Sequence, residues 1–323
     1  MKVLSYRYPA ATSRSDTFRL FPLGDVHIGA ANCAEKQFRR VVRRIQDDPM
    51  ARWFGGGDVL NAVIIQDQKR FDPASVPSWL LTENRTRILS LLTGQGLTPE
   101  QVADRIIELV STSARRKLAD MVRAETQRFL DIVKPIKSKC VGLIEGNHEY
   151  SMMKHHNRDI MSDLCQALDA PYLSDCCFVR FEFEREKGRS VNDGATVRMF
   201  GMHGHGGGRS AGSEPNHLAR MVQDKACELA LRGHSHTQFI MPPVARLTIP
   251  TSGELGETAE SVYTRVANWG CYLMTYAEGN PTYDSRAAYP VRPLSTVVVE
   301  ITPFRAVDGR TRPKIKIEEL EMQ

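Results

Sequence analysis

Five times along this chain a short apolar run stops at or beside a glycine and hands over to Asp, Asn or His. The runs are FRLFPLG before Asp25, RWFGGG before Asp58, CVGLIEG before Asn147, TVRMFGM before His203 and CELALRG before His234. Segments this short and this apolar read as buried strands, and several are separated by enough chain for a helical crossover. That combination points to an α/β fold. Such folds bind ligands beyond the carboxyl ends of their strands, so the polar residues stand where a site is built.

The first connection carries Phe38, Val41, Val42 and Ile45 at i, i+3, i+4 and i+7, with Arg39, Arg40, Arg43 and Arg44 elsewhere on the wheel. This is one amphipathic crossover helix, and its arginines read as a solvated face. Between Asp58 and Asn147 the chain is far longer than an ordinary crossover. Helical patterns cover residues 79–92 and 99–133, with Thr98 and Pro99 as a cap and first-turn proline and Pro135 at the exit. Residues 62–136 therefore read as a helical insertion. Its mixed charges, Arg115, Arg116, Lys117, Arg123 and Arg128 against Asp104, Glu108, Asp120 and Glu125, read as solvated surface. After His236 the segments FIMPPVARLTI, GCYLMTY, STVVVEI and KIKIEEL read as strands. The expected layout is a single domain over residues 1–323, with residues 253–323 as a strand-rich C-terminal extension.

Composition excludes several classes. No apolar run reaches membrane-spanning length, and the opening MKVLSYRYPAATSRSD lacks a signal-type apolar core, so a cytoplasmic protein without a membrane partner is expected. The seven cysteines, Cys33, Cys140, Cys165, Cys176, Cys177, Cys227 and Cys271, are odd in number and contain no Cys-x-x-Cys pair, which suits reduced thiols. A net charge of +5 permits an anionic partner without demanding nucleic acid.

The strand-end residues group as Asp25-x-His27, Gly57-Asp58-x-x-Asn61, Gly146-Asn147-His148-Glu149, His203-Gly204-His205 and Gly233-His234-x-His236. Any one of these alone is an ordinary turn. Together they gather most of the nine histidines at strand ends and supply carboxylate, amide and imidazole donors without a thiolate. That set suits borderline to hard divalent ions. It exceeds what a single ion with an open position needs, so two ions are expected, Mn first and Fe, Zn or Mg as alternatives.

With these motifs in this order, the chain resembles the calcineurin-like metallophosphoesterase superfamily over Phe18 to about Ser252. The resemblance implies two mixed β-sheets in a sandwich flanked by helices, and a dinuclear metal centre. By position, Asp25, His27, Asp58 and His236 resemble the ligands of one metal. Asp58, Asn147, His203 and His234 resemble those of the other, with Asp58 as the bridge. His148 matches the family's non-ligand histidine, which contacts phosphate and protonates the leaving group. His203 and His205 both fit the third ligand motif, and His203, directly before Gly204, is preferred. Asn61 stands where Ser/Thr protein phosphatases carry Asp, and Ala62 where they carry Arg, which argues against a phosphoprotein substrate. Asn268-Trp269-Gly270-Cys271 matches the family's late Asn-x-Gly-Ser turn only loosely.

Asn61, His205 and Arg209 are the expected substrate contacts. The run Gly204-His205-Gly206-Gly207-Gly208-Arg209-Ser210 lets backbone N–H groups and a guanidinium approach phosphate oxygens. It is similar to prokaryotic and phage members related to DNA-repair exonucleases. The expected activity is a phosphodiesterase acting on nucleic acid or a nucleotide. The alternatives are a phosphomonoesterase of a small metabolite and, last, a non-catalytic scaffold, which the filled ligand positions and His148 argue against. His155 and His156 read as surface residues. Trp269, Tyr272, Tyr276, Tyr283 and Tyr289 read as half-buried strand and loop aromatics rather than base-stacking platforms. Oligomeric state stays open.

Overall fold

A computed structural model of the chain describes residues 1–64, 120–185, 194–206, 212–248, 260–276, 291–304, 306–307, 310–311 and 313–322. In chain order the elements are β1 (Lys2–Arg7), β2 (Phe18–Leu23), α1 (Glu35–Asp47), β3 (Ala51–Gly55), α2 (Met121–Val133), β4 (Cys140–Leu143), α3 (Asn147–His156) and α4 (Ile160–Leu168). There follow β5 (Cys176–Phe183), β6 (Ala195–Met202), α5 (Ser213–Val222), β7 (Leu229–Arg232), β8 (Phe239–Thr248), β9 (Glu260–Asn268), β10 (Ser295–Thr302), β11 (Ala306–Val307), β12 (Arg310–Thr311) and β13 (Lys314–Glu321).

The strands form two mixed sheets, one in the order β1-β5-β6-β7-β9-β8 and one in the order β13-β10-β2-β3-β4. The α/β sandwich expected from the sequence is therefore the observed fold. Side chains alternate across each strand, so neighbours in sequence enter different cores. Leu20 and Phe54 of the five-stranded sheet meet Val179, Phe181, Val197, Met199 and Leu231 of the six-stranded sheet in the inter-sheet core. Phe21, Leu23 and Trp53 point the other way, under Phe38, Val42 and Ile45 of α1, Phe129 of α2 and Leu164 of α4. The outer face of the six-stranded sheet offers Phe200, Ala230 and Val266, which Leu218, Met221 and Val222 of α5 cover.

The buried face of α1 is the i, i+3, i+4, i+7 stripe anticipated. Glu35 in its first turn receives Arg39 one turn later and Arg128 from α2, the latter at 2.7 Å. The wheel thus also fixes how α2 lies beside α1.

Strand direction positions the site. β2, β3 and β4 run parallel, as do β6 and β7, and the five motifs follow the carboxyl ends of these five strands.

Sequence reading and structure differ in three places. GCYLMTY is not a strand: Gly270 turns at φ +85°, and the segment makes only isolated bridges, Cys271 to Ser295 and Leu273 to Cys33. It crosses the sheet ends, and Tyr272 is drawn into the core against Phe38. Second, the strands of residues 253–323 are not appended: β9 pairs with β7 inside one sheet, and β10 joins β2 to β13 in the other. Third, winding does not stop at Pro135, because a 3₁₀ helix over Lys134–Lys139 accommodates proline at its start. The pattern over residues 79–92 and most of the insertion lie outside the described residues. All seven cysteines are free thiols. Among the described residues no helix is long and apolar enough to cross a membrane.

Phe38 packs against both Phe129 and Tyr272, with ring centroids 6.1 and 5.1 Å away. Phe38→Ala is expected to cost about 3–5 kcal/mol, read as a lower urea midpoint with an unchanged far-ultraviolet spectrum.

Candidate metal centre

The turns after the strands share an unusual backbone. Nine non-glycine residues among those described have positive φ, and five of them are Asp25 (50°), His27 (51°), Asp58 (49°), His234 (72°) and His236 (57°). A left-handed conformation costs an ordinary residue about 1 kcal/mol or more. Hydrogen bonds between turns hold it: Asp25 N–H donates to Gly57 O at 3.0 Å, and Val26 and His27 N–H both donate to Asp58 O at 2.9 and 3.0 Å.

These turns bring the polar side chains into three overlapping sets, each with potential ligand atoms within 4.8 Å of one another: Asp25, His27 and His236; Asp58, His203 and His234; and His27, Asp58 and His148. His27 Nε2 lies 3.1 Å from His236 Nε2, which is 3.4 Å from Asp25 Oδ1. Asp58 Oδ2 lies 3.2 Å from His203 Nε2 and 3.9 Å from His27 Nε2, so this one oxygen faces both groups. Asn147 Oδ1 sits between His203 Nε2 at 3.2 Å and His234 Nδ1 at 2.8 Å.

The remaining oxygen of each carboxylate is committed elsewhere. Asp25 Oδ2 accepts from Trp269 Nε1 at 2.8 Å and His234 N–H at 3.0 Å, and Asp58 Oδ1 accepts from His148 N–H at 2.9 Å. Asp25 Oδ1 is buried with no hydrogen-bond partner. A buried carboxylate oxygen in that condition is costly unless a cation meets it.

His203 tells the same story. Its Nδ1 lies 2.8 Å from Gly56 O, which fixes Nδ1 as the donor and turns the Nε2 lone pair toward two oxygens, Asp58 Oδ2 and Asn147 Oδ1. Lone pairs meeting lone pairs require a proton or a metal between them. Without a metal the proton takes that place: burial opposes it, yet Asp58 and Asp25 prevail and push His203 up to about 10. Burial and the neighbouring His203 instead press His234 down to about 4. Burial and His148 hold His27 well below the usual histidine range. For Asp58 burial is outweighed by His203 and His148, and its carboxyl stays well below the usual range. An unpartnered carboxylate oxygen, neutral imidazoles and an amide oxygen, all convergent, fit divalent cations.

Around this cluster, His148 Nδ1 contacts the backbone carbonyl of Asn61, whose N–H donates to Ile28 O at 2.8 Å. Asn61 is partly exposed and His205 exposed, both at the rim. Arg209 lies outside the described residues.

Several functional partners escaped the sequence. Glu149 accepts N–H groups from Gly146, Asp58 and Leu60 at 3.1, 2.9 and 3.1 Å, tying the turns after β3 and β4 together. Glu125, a solvated charge by its sequence pattern, is fully buried instead, accepting Ala62 N–H at 2.8 Å. Arg232, also buried, donates to Glu214 Oε1, His205 O and Gly206 O, each at 3.0 Å. Trp269 is 1% exposed, which rules out base stacking.

No protein-family model matches the chain, and no curated protein does. Solved structures similar to it include a conserved uncharacterized protein from Streptococcus pneumoniae described as a predicted phosphoesterase. That likeness has 12% identity, coverage of 95% of this chain and 91% of that one, and a TM-score of 0.33. Vps29 from Entamoeba histolytica, in complex with zinc, matches at 12% identity over 95% of this chain and 100% of that one, TM-score 0.33. Vps29 from Chaetomium thermophilum matches at 10% identity over 94% and 97%, also at 0.33. At these values the geometry carries the functional argument.

The buried acid in α2 gives a pH test. Burial, reinforced by Glu149, pushes Glu125 up from 4.5 to about 8 despite the Ala62 N–H. The folded state keeps a proton that the unfolded chain gives up near 4.5, so this contribution to stability is full below pH 4.5 and lost as pH rises through 8. Over pH 5 to 8.5, the urea midpoint of the wild type is expected to fall relative to that of Glu125→Gln. A difference independent of pH would mean that Glu125 is ionised throughout.

Proposed function

We propose that this chain is a calcineurin-like metallophosphoesterase: a hydrolase of phosphate esters that works with two divalent ions, Mn first among them, and acts by preference on diesters of nucleic acid or nucleotides. The observation that carries this reading is the pair of ligand clusters, Asp25-His27-His236 and Asp58-His203-His234, with Asp58 Oδ2 facing histidines of both. Asn147 Oδ1 completes the second cluster.

When bound, such a pair of ions supplies Lewis-acid charge for the phosphoryl oxygens and an activated water. The chain's own groups supply the rest. Asp25 and Asp58 bring negative charge that balances the cations, each with one oxygen held by N–H donors so that the other is presented in one direction. His203 is aimed by Gly56 O, and its turn is anchored through Arg232 to the carbonyls of residues 205 and 206.

His148 acts on the leaving group. Its ring is anchored through Nδ1 on the Asn61 carbonyl, which leaves Nε2 to hand a proton to the departing oxygen. Asn61, His205 and Arg209 take the non-reacting part of the phosphate or its substituents, and this rim sets substrate choice.

A leaving oxygen needs an acid in proportion to its basicity. His148→Ala is therefore expected to keep its metal, retain much of its rate on a nitrophenyl diester and lose on the order of 10²-fold or more on an alkyl or nucleotide diester. Equal losses on both substrates would leave His148 a phosphate binder only.

Asp58→Ala and His234→Ala, by contrast, are expected to lose metal by elemental analysis and to fail on both substrates alike. Near-normal turnover with two bound ions in Asp58→Ala would sink the assignment.

A further inference from the structure

Three of the glycines that precede ligand residues have one neighbour in common. A Cβ on Gly24 would stand 2.7 Å from Trp269 Nε1, one on Gly56 2.5 Å from Trp269 Cζ2, and one on Gly233 would overlap the same indole ring. Gly24 leads into Asp25, Gly56 into Gly57-Asp58 and Gly233 into His234. The indole is thus a plate against which turns from β2, β3 and β7 are laid, two from one sheet and one from the other. It is fixed in turn: the backbone N–H of Trp269 donates to Arg232 O at 3.0 Å, and the residue is 1% exposed.

The plate also has a polar edge. Nε1 donates to Asp25 Oδ2 at 2.8 Å, beside the His234 N–H at 3.0 Å. Oδ2 is thereby saturated, while Oδ1, buried and without a hydrogen-bond partner, points at His236 Nε2 3.4 Å away. A Phe at 269 would leave Oδ2 with a single donor and withdraw the ring edge, Cε2, Cζ2 and Cη2, that the glycine turns meet.

We propose that Trp269 is a positioning residue of the metal centre: its ring sets the spacing of three ligand turns, and its N–H commits Asp25 Oδ2 so that Oδ1 alone is presented to the ion shared with His27 and His236. The proposal rests on the metal-centre reading. Partners that orient a ligand carboxylate in this way are worth about 10- to 100-fold in metal affinity.

The test is equilibrium dialysis of the full chain against Zn²⁺ and Mn²⁺, with bound metal counted by elemental analysis, for wild type and Trp269→Phe. The wild type is expected to take up two ions, and Trp269→Phe to bind the ion of Asp25, His27 and His236 about 10- to 100-fold more weakly, with a smaller loss at the other. Equal binding of both ions by Trp269→Phe would overturn the positioning role alone. A wild type that binds neither ion would overturn the metal-centre reading and the proposal with it.

Should Trp269→Phe fail to fold, the indole N–H resonance of Trp269 in the wild type, assigned by replacing Trp53 and Trp79 with Phe, supplies the second readout. It is expected to be protected from exchange and to move when Zn²⁺ is added or when Asp25 is replaced by Asn. A resonance indifferent to both, while zinc binds, would overturn the proposal.

Discussion

Asp25 and Asp58 are 0% and 1% exposed, side by side where the two sheets end. Most of the local structure answers to that fact. Taking a carboxylate out of water costs several kcal/mol even after the protein relaxes, so each must be met by donors or cations. The donors come from backbone N–H groups of neighbouring turns and one indole, and reaching them demands the left-handed backbone at Asp25, Asp58 and His234. Strain in these turns is thus the counterpart of charge in the centre. Without a metal the histidines divide accordingly: His203, pinched between Asp58 and Asn147, holds a proton where a cation would sit, whereas burial keeps His27 and His234 neutral.

The positions of the ligand candidates were legible because each sits where an apolar period breaks at glycine, and a strand end is one of the few places where such a break has a fixed structural meaning. The helix α1 was legible because its stripe is undiluted. β1 and β5 were not, although Phe181 and Phe183 alternate with Arg180 and Glu182 along β5, because no polar motif follows them. GCYLMTY failed the other way. It is apolar because Tyr272 and Cys271 are buried, not because it pairs along its length.

Glu125, Trp269 and Arg232 were invisible for a deeper reason. A glutamate on a helix rich in charges is ordinarily solvated, and only the turn at Ala62 and the close approach of Gly29 bury it. The glycines before the ligands carried half of the Trp269 signal. In the sequence they mark only where a run ends, whereas in the fold Gly24, Gly56 and Gly233 clear space for one indole. Which partner fills the space left by a glycine is a tertiary fact.

The site is split between the sheets. Asp25, His27, Asp58 and Asn147 follow strands of one sheet, and His203, His234 and His236 follow strands of the other, so both ligand clusters draw on each. Anything that binds such a cluster stabilises the packing of sheet on sheet, because the unfolded chain offers no preformed set. The protein also joins the two halves without a ligand, His203 Nδ1 donating to Gly56 O and both His234 N–H and Trp269 Nε1 donating to Asp25 Oδ2, while a second network braces the six-stranded sheet alone. Arg232 at the end of β7 reaches the carbonyls of His205 and Gly206 beyond β6, and Glu214 of α5 balances its charge while accepting Asn268 at 2.7 Å. A buried pair of this kind contributes little net stability, since desolvation consumes most of its Coulombic gain. Its effect lies in direction: a displaced turn would leave a buried guanidinium with unmet donors, so only one exit for the chain after His203 is tolerated. The ligand turns are therefore fixed by groups that cannot move cheaply, while Asn61 and His205 stand at the exposed rim, where side chains can change without disturbing the centre. For the proposed hydrolase, this frame assigns the chemistry to the buried cluster and the choice of ester to the rim.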